Sequence, residues 1–207
     1  MLPWLAYPLA VWAGLAFGGA RAAGGLVVAA LAGRALLLWR SKNPASLRRL
    51  LVPLAAAGLP ALLALLLQDP LLLLFVPVLA NLGLLVAFVR SLWRGPPVIE
   101  TVARLQVGSL SDAEVRYCRS VTGIWCVFFL ANASVTAALA LFGSLAAWAL
   151  WSGALAYVAV GVVLALELTV RSWRFRRYTG GPTDVVMRRL FPPRPTQDSK
   201  RAAAVQR

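Results

Sequence analysis

The feature that most constrains this chain is a series of six apolar runs, each close to the length that crosses a lipid bilayer. A spanning α-helix needs about 20 apolar residues, with a range of about 17–25. The runs lie at residues 2–17, 22–39, 50–67, 71–89, 121–142 and 145–170. Because backbone polar groups in lipid must bond within the protein, we expect each run to form a helix. The predicted fold class is therefore all-α, a polytopic transmembrane bundle of about six spans.

Composition excludes a soluble fold. Hydrophobic residues make up 60% of the chain and charged residues only 14%, and the mean hydropathy is +0.76. A typical soluble domain carries about 25% charged residues. The chain has too little polar surface to cover a water-soluble domain, so its apolar surface must face lipid.

The distribution of basic residues predicts the orientation. Of the 21 Lys and Arg residues, all except Arg21 and Arg34 lie in the connections after the second and fourth runs or in the segment after the sixth. Lys and Arg are concentrated on the cytoplasmic side of bacterial membrane proteins. We therefore expect a multi-pass protein of the bacterial cytoplasmic (inner) membrane with both termini in the cytosol. The net charge of +14 reflects this orientation, and no nucleic-acid partner is predicted.

Missing residue types limit the chemistry. The chain contains no histidine, which removes His-based acid–base catalysis, His-ligated haem and the common zinc sites. Its two cysteines, Cys118 and Cys126, are eight positions apart on one predicted helix. That spacing separates them by about 12 Å, too far for a disulfide. The sequence predicts neither a metal site nor a bound cofactor.

The longest connection between runs, residues 90–120, contains an amphipathic pattern. Gly95-Pro96-Pro97 ends the fourth helix and begins a new one. Apolar side chains then share one helical face, while Glu100 precedes Arg104 by four residues on the other: the apolar residues are Val98, Ile99, Val102 and Leu105. We expect an interfacial helix over about residues 97–106, lying on the inner membrane surface.

The same connection supplies the predicted binding residues. Ser111-Asp112-Ala113-Glu114 predicts a capping box that begins the helix leading into the fifth run. Two arginines are expected to be neutralised, Arg104 by Glu100 and either Arg116 or Arg119 by Asp112 or Glu114. A solvated connector is the simpler interpretation of this segment. The functional one is a binding surface made of Arg90, Arg94, Glu100, Arg104, Arg116 and Arg119.

Four polar residues lie inside the apolar runs: Arg34, Asn81, Asn132 and Glu167. Asn81 and Asn132 are near the middle of their runs, and we expect them to hydrogen-bond each other as a structural contact, with a substrate site as the alternative. Arg34 is close enough to the cytosolic end to extend its side chain there. Glu167 precedes Arg171 by four residues, which predicts an ion pair at the membrane boundary.

The chain divides into two parts. Residues 1–178 are predicted to form the transmembrane helical domain, and residues 179–207 a basic, proline-containing cytosolic tail that is disordered. Glycines spaced four apart, such as Gly14 and Gly18, allow close helix approach and also suit association into a homo-oligomer.

Several segments resemble a family of uncharacterised bacterial inner-membrane proteins. They are Ala35-Leu-Leu-Leu-Trp-Arg40, Asn81-Leu-Gly-Leu-Leu-Val, Gly95-Pro-Pro-Val-Ile-Glu100 and Trp125-Cys-Val-Phe-Phe-Leu-Ala-Asn132. The resemblance covers about residues 30–175. The order of Val115–Arg119, Trp125, Phe129 and Asn132 is more distantly similar to the intracellular septation protein A family. The closer resemblance implies genes neighbouring those of acyl carrier proteins and aryl polyene synthesis, and hence a role in envelope lipid or polyene chemistry.

Three classes of function follow. The first is a non-enzymatic partner or scaffold that binds membrane lipids and docks an acidic cytosolic protein, such as an acyl carrier protein, on the arginine-rich connection. The second is a transporter or flippase for a lipid-like product, although the spans contain no acidic residue at mid-membrane. An enzyme comes third, because its only acid–base groups would be Glu100, Glu114 and Glu167, and their spacing matches no catalytic arrangement.

Overall fold

The computed structural model describes residues 2–40, 59–176 and 182–192, and its regular structure over these ranges is helical. The connection at residues 41–58 lies outside the described residues, and so does the first part of the third apolar run. In chain order the helices are α1 (Leu2–Arg40), α2 (Leu59–Leu67), α3 (Leu71–Leu74), α4 (Val76–Arg94), α5 (Val98–Val107), α6 (Asp112–Phe142), α7 (Leu145–Leu150), α8 (Ala156–Phe175) and α9 (Pro182–Leu190). A π-helical turn, Trp151–Leu155, joins α7 to α8.

Three helical stretches in the described part of the chain are long and apolar enough to cross a membrane. They are Leu71–Arg94, Asp112–Phe142 and Leu145–Phe175, and they contain the fourth, fifth and sixth apolar runs. A shorter apolar helix covers Arg21–Ala30. The all-helical class and the membrane character predicted from the sequence are therefore confirmed.

Helix α1 is two helices joined at a sharp bend. Gly19 has φ 71° and ψ −171°, a conformation that glycine adopts without the steric cost of a Cβ. The two arms fold back on each other so closely that a Cβ on Gly14 would lie 2.5 Å from the Cα of Ala23. The bend separates the first and second apolar runs at the connection that the sequence predicts.

The chain forms two compact units, and the larger comprises residues 1–95 and 123–159. Its core consists of small and branched side chains around the fully buried ring of Trp148. Both arms of α1 contribute to this core, together with α2, α3 and the ends of α6 and α7. The buried core residues are Val11, Ala23, Val27, Ala64, Leu73, Leu74, Ala140, Trp148 and Ala149.

A proline interrupts the backbone hydrogen bonds at one edge of this core. Pro77 lacks the N–H that would otherwise bond the carbonyl of Leu73, four residues earlier. Instead, the hydroxyl of Tyr7 donates to the Leu73 carbonyl at 2.8 Å. The indole Nε1 of Trp148 donates to the neighbouring Leu74 carbonyl at 3.2 Å. Two distant aromatic residues thus supply donors where the helix is interrupted.

The second unit comprises residues 96–122 and 160–207. It contains α5, the first turns of α6, most of α8, and α9. Helix α9 lies within residues 179–207, the predicted cytosolic tail, of which the structure describes residues 182–192. The sequence favours a helix here because Pro182 suits a first turn, Asp184 lies near the positive end of the helix dipole, and Arg188 and Arg189 occupy the last turn.

Replacing Tyr7 tests whether the contribution of its hydrogen bond to stability depends on Pro77. We expect Tyr7→Phe to lower the unfolding free energy of the detergent-solubilised protein by about 1–3 kcal/mol, because it removes the side-chain donor of the Leu73 carbonyl in the apolar interior. In a Pro77→Ala background the same change should cost much less, since position 77 then carries its own N–H. Equal costs in the two backgrounds, measured by denaturant titration, would show that the two groups are independent.

Candidate functional site

A chain of hydrogen bonds joins three polar side chains within the apolar part of the first unit. The Nδ2 of Asn132 donates to Oδ1 of Asn81 at 3.0 Å, the bond expected from the sequence. Asn132 Oδ1 in turn accepts from the indole Nε1 of Trp151 at 3.0 Å. Asn81 Nδ2 donates to the backbone carbonyl of Pro77 at 2.8 Å. Each amide therefore bonds the other amide and one further group, as expected of structural contacts between helices in lipid.

The π-helical turn lies at one end of this chain of bonds. The turn begins at Trp151, and the indole of this residue donates the hydrogen bond to Asn132. The next residue, Ser152, is buried, and its Oγ has no hydrogen-bond partner. Single π-turns inside long helices are frequent at functional sites. This turn is the one irregularity of the long helix Leu145–Phe175 that places a polar group in the protein interior.

In the second unit, α5 turns its acidic side inward. Glu100 is only 6% exposed, whereas Leu105 is 85% exposed. The carboxylate of Glu100 accepts from Nε of Arg104 at 2.8 Å and is paired with its Nη2 at 2.7 Å. This two-pronged contact is the ion pair expected from the i,i+4 spacing. It compensates the charge of a carboxylate that would be costly to bury alone.

Helix α6 begins with the predicted capping box. Oε2 of Glu114 accepts from both the backbone N–H and the hydroxyl of Ser111 at 2.8 Å. The N–H of Glu114 points back to Ser111 Oγ at 3.4 Å. Glu114 is itself buried, so the cap fixes the start of α6 and withdraws a second carboxylate from the surface.

Cys118 lies among the buried polar groups of this unit. The charges that act on its thiol come from Glu100, Glu114, Glu167 and Arg171. The predicted boundary pair is present, with Nε of Arg171 3.7 Å from Oε1 of Glu167. Glu167, which is distant in sequence, is therefore near enough to act on the same thiol as Glu100 and Glu114.

Tyr117 connects the two helices that carry these groups. Its hydroxyl donates to the Glu167 carbonyl at 3.1 Å. Its ring packs edge-on against Phe175, with centroids 5.4 Å apart. Tyr117 thereby holds the first turns of α6 against the last turns of α8 within the second unit.

The geometry of this cluster is that of a structural site. Each carboxylate already has a partner: Arg104 for Glu100, Ser111 for Glu114 and Arg171 for Glu167. Over the described ranges, no hydrogen bond joins the Cys118 thiol to a base, as an activated nucleophile requires. The described residues also contain no group of acidic or cysteine side chains that could hold a metal ion. The cluster can stabilise the junction of helices, and it lacks the pairing used in acid–base catalysis.

The predicted arginines are distributed over two places. Arg90 and Arg94 are exposed at the end of α4, in the first unit. Arg116 and Arg119 are exposed on the first turns of α6, in the second. Among the described residues, neither Arg116 nor Arg119 forms an ion pair with Asp112 or Glu114. The expectation that one of them is neutralised is therefore wrong, because the Glu114 carboxylate is bonded to Ser111 and turned inward.

Two outcomes complete the account of the predicted residues. Arg34 lies in the second arm of α1, and its side chain is outside the described residues. Sequence reasoning missed Trp151, Tyr117 and Ser152, whose roles depend on neighbours far along the chain. The only sequence signal was chemical, since an indole or phenol inside an apolar run needs an acceptor.

No protein-family model, curated protein or solved structure matches this chain. The exposed charges and the buried polar contacts are therefore the basis for assigning a function.

A double-mutant cycle tests the amide pair. We expect Asn81→Leu and Asn132→Leu each to lower the unfolding free energy in detergent by about 0.5–2 kcal/mol. The double variant should cost much less than the sum, because each single change leaves the other amide without its partner. Trp151→Phe should add little once Asn132 is replaced, since it removes a donor whose acceptor has already gone.

Additive costs in this cycle would contradict direct coupling between the amides. A different result would change the function assigned to them. If the single variants kept full stability but lost activity in cells, the amides would form a substrate site and the transporter hypothesis would gain support.

Proposed function

We propose that this protein is a non-enzymatic scaffold of the bacterial inner membrane, with about six spans and both termini in the cytosol. Its exposed arginines on the connection at residues 90–120 dock an acidic cytosolic protein of envelope lipid or polyene synthesis, such as an acyl carrier protein. The resemblances found in the sequence suggest this pathway.

The observation that carries the proposal is the sorting of charge along this connection. Glu100 and Glu114 are buried and bonded, and Asp112 is its one exposed acid. In the described residues, four of the five arginines are exposed and form no ion pair: Arg90, Arg94, Arg116 and Arg119. The surface of the connection is consequently far more basic than its sequence, because its acidic side chains face inward.

Exposed guanidinium groups suit a partner that carries several carboxylates or a phosphate. An arginine presents two parallel N–H groups that match the two oxygens of either anion. Opposite charge on the partner would raise the rate of encounter, and added salt would weaken the complex. An acidic protein bearing a phosphate-linked acyl chain combines both kinds of anion.

The exposure pattern of α5 supports a position at the membrane surface. Its buried side carries Glu100 and Ala103, whereas Val102 and Leu105 are exposed. The helix thus exposes apolar side chains together with the polar groups of Thr101, Arg104 and Gln106. It is suited to the boundary between headgroups and acyl chains. A partner docked on the neighbouring arginines would then be close to the lipid on which its product is used.

A transporter or flippase for a lipid-like product is the second candidate. The observation that favours it is the π-helical turn at Trp151–Leu155, with the unpartnered hydroxyl of Ser152. Such turns are frequent at functional sites, and the indole of Trp151 in this one bonds the amide of Asn132. Loss of export with retention of partner binding in Ser152→Ala would favour this candidate.

Cysteine labelling tests the proposed topology. In a Cys118→Ala, Cys126→Ala background, single cysteines placed at residues 42–47 and in the tail should react with an impermeant maleimide only from the cytosolic side. Gln68→Cys, in the short connection before α3, should react only from outside. Labelling of position 68 from the cytosol would contradict the six-span arrangement.

Charge changes at the end of α4 test the docking function. We expect Arg90→Glu with Arg94→Glu to abolish partner capture and pathway activity in cells, while membrane insertion stays unchanged. The captured partner should dissociate as salt rises, because exposed charges are screened within about 10 Å at 0.1 M ionic strength. Site-specific cross-linking from position 94, with the captured protein identified by mass spectrometry, checks the partner's chemistry.

Lysine replacements separate docking from anchoring. If Arg90 and Arg94 only hold α4 in its orientation, Arg90→Lys with Arg94→Lys should be fully active, since lysine satisfies the same rule. A docking site that uses the guanidinium fork should lose at least about tenfold in capture. The matched pair Arg116→Lys with Arg119→Lys asks the same question of the second unit. Full activity of both lysine pairs would reduce all four arginines to anchors.

A further inference from the structure

The end of the last long helix leaves an arginine poorly satisfied. After Phe175 the chain turns at Arg176, which has φ 50°, a left-handed conformation that is costly for a residue with a Cβ. Its Nη1 donates a long hydrogen bond of 3.4 Å to the carbonyl of Pro192. Its Nε is enclosed and has no partner. A buried donor without an acceptor is rare, and it is more costly when it belongs to a cation.

The helix that follows exposes apolar and basic groups together. In α9, Val186 is 56% exposed and Leu190, one turn later, is 62% exposed. Arg188 and Arg189, in the last turn, are also exposed. A short helix that combines exposed apolar residues with a basic last turn has features of helices that lie on anionic membranes.

The turns before Arg176 have the residues expected at a membrane boundary. Trp173 is largely exposed, and its indole suits the headgroup level. Arg174 is exposed beside it, with its guanidinium 5.6 Å from the centre of the Phe175 ring. The segment that includes these residues and α9 begins at the end of a helix long and apolar enough to span the bilayer.

We propose that residues 173–176 and helix α9 form a binding site for anionic phospholipid headgroups, separate from the docking arginines. A headgroup phosphate would accept from Nε and the adjacent Nη2 of Arg176, the two-pronged side of the guanidinium, while Nη1 keeps its bond to the Pro192 carbonyl. Arg174, Arg188 and Arg189 supply further positive charge. Val186 and Leu190 enter the boundary between headgroups and acyl chains. The apolar face of α9 is covered by lipid, because its flanking charges complement an anionic surface and exclude a purely apolar protein groove.

The test uses the full-length protein in lipid nanodiscs. A single cysteine, Val186→Cys in a Cys118→Ala, Cys126→Ala background, carries a fluorophore that brightens and shifts to the blue on leaving water. We expect this change to grow as phosphatidylglycerol replaces phosphatidylcholine. Each arginine near a charged surface contributes about 1 kcal/mol, so Arg189→Gln should reduce the equilibrium constant for insertion about fivefold, and Arg188→Gln with Arg189→Gln roughly 25-fold.

Arg176 is tested by a conservative replacement. Arg176→Lys keeps the charge and removes the Nε–H, so it should still lower the number of phosphatidylglycerol molecules retained in native mass spectrometry. Arg174→Lys is the matched control, because the proposal gives Arg174 charge alone and no two-pronged contact. Equal retention in the two lysine variants would overturn the assignment of the phosphate to Arg176.

Two further results would overturn the lipid site. Arg116→Gln with Arg119→Gln removes the same charge elsewhere in the second unit and should leave the fluorescence response intact. If it weakens the response as much as the change at positions 188 and 189, the effect is bulk charge. If inorganic phosphate at matched ionic strength reproduces the response in phosphatidylcholine nanodiscs, the site binds free anions and not headgroups. An unchanged signal across lipid compositions would exclude the site altogether.

Discussion

Polar groups placed in the apolar part of this protein have to find partners within the chain, because lipid offers neither donors nor acceptors. The first unit depends on this constraint at the interruption made by Pro77. Tyr7 and Trp148 bond the carbonyls of Leu73 and Leu74, and these contacts tie α1 and α7 to the end of α3. The same requirement links Asn81 to Asn132 and Asn132 to Trp151. Helices that lack a hydrophobic driving force between them are thus held together by bonds that cannot be exchanged for water.

The second unit applies the same constraint to charge. Its carboxylates at positions 100, 114 and 167 are drawn inward, and each is matched by an arginine or by a helix cap. Burial of these acids leaves the arginines as the main exposed charges of the connection at residues 90–120. The burial of the acids therefore has two effects: it makes the surface basic, and it supplies the polar contacts of the interior. This is also why the buried acids read as structural, since their oxygens are already engaged and none is poised beside the Cys118 thiol.

Two surfaces of different chemistry follow from this arrangement. The exposed arginines suit an acidic protein, because in each unit, at the end of α4 in the first and at the start of α6 in the second, they are accessible and form no ion pair among the described residues. The turn at Arg176 and helix α9 suit lipid, because they combine apolar exposure with a poorly satisfied guanidinium. Both proposals require the basic end of the last long helix to face the cytosolic leaflet, and each rests on different residues.

The sequence by itself determined the helical class, the membrane location and the contacts that join residues three or four positions apart. The Glu100–Arg104 and Glu167–Arg171 pairs and the Ser111–Glu114 cap were predictable, because helix geometry fixes which neighbours meet. Asn81 and Asn132 were predictable for another reason, since two amides in lipid have few alternatives to each other. Only the tertiary structure decided that Tyr7 and Trp148 serve the interruption at Pro77 and that Glu114 faces inward. It also placed the short helix α9 within the predicted tail. Those outcomes depend on how distant segments pack, and local spacing carries no record of which distant group will lie beside an unsatisfied carbonyl.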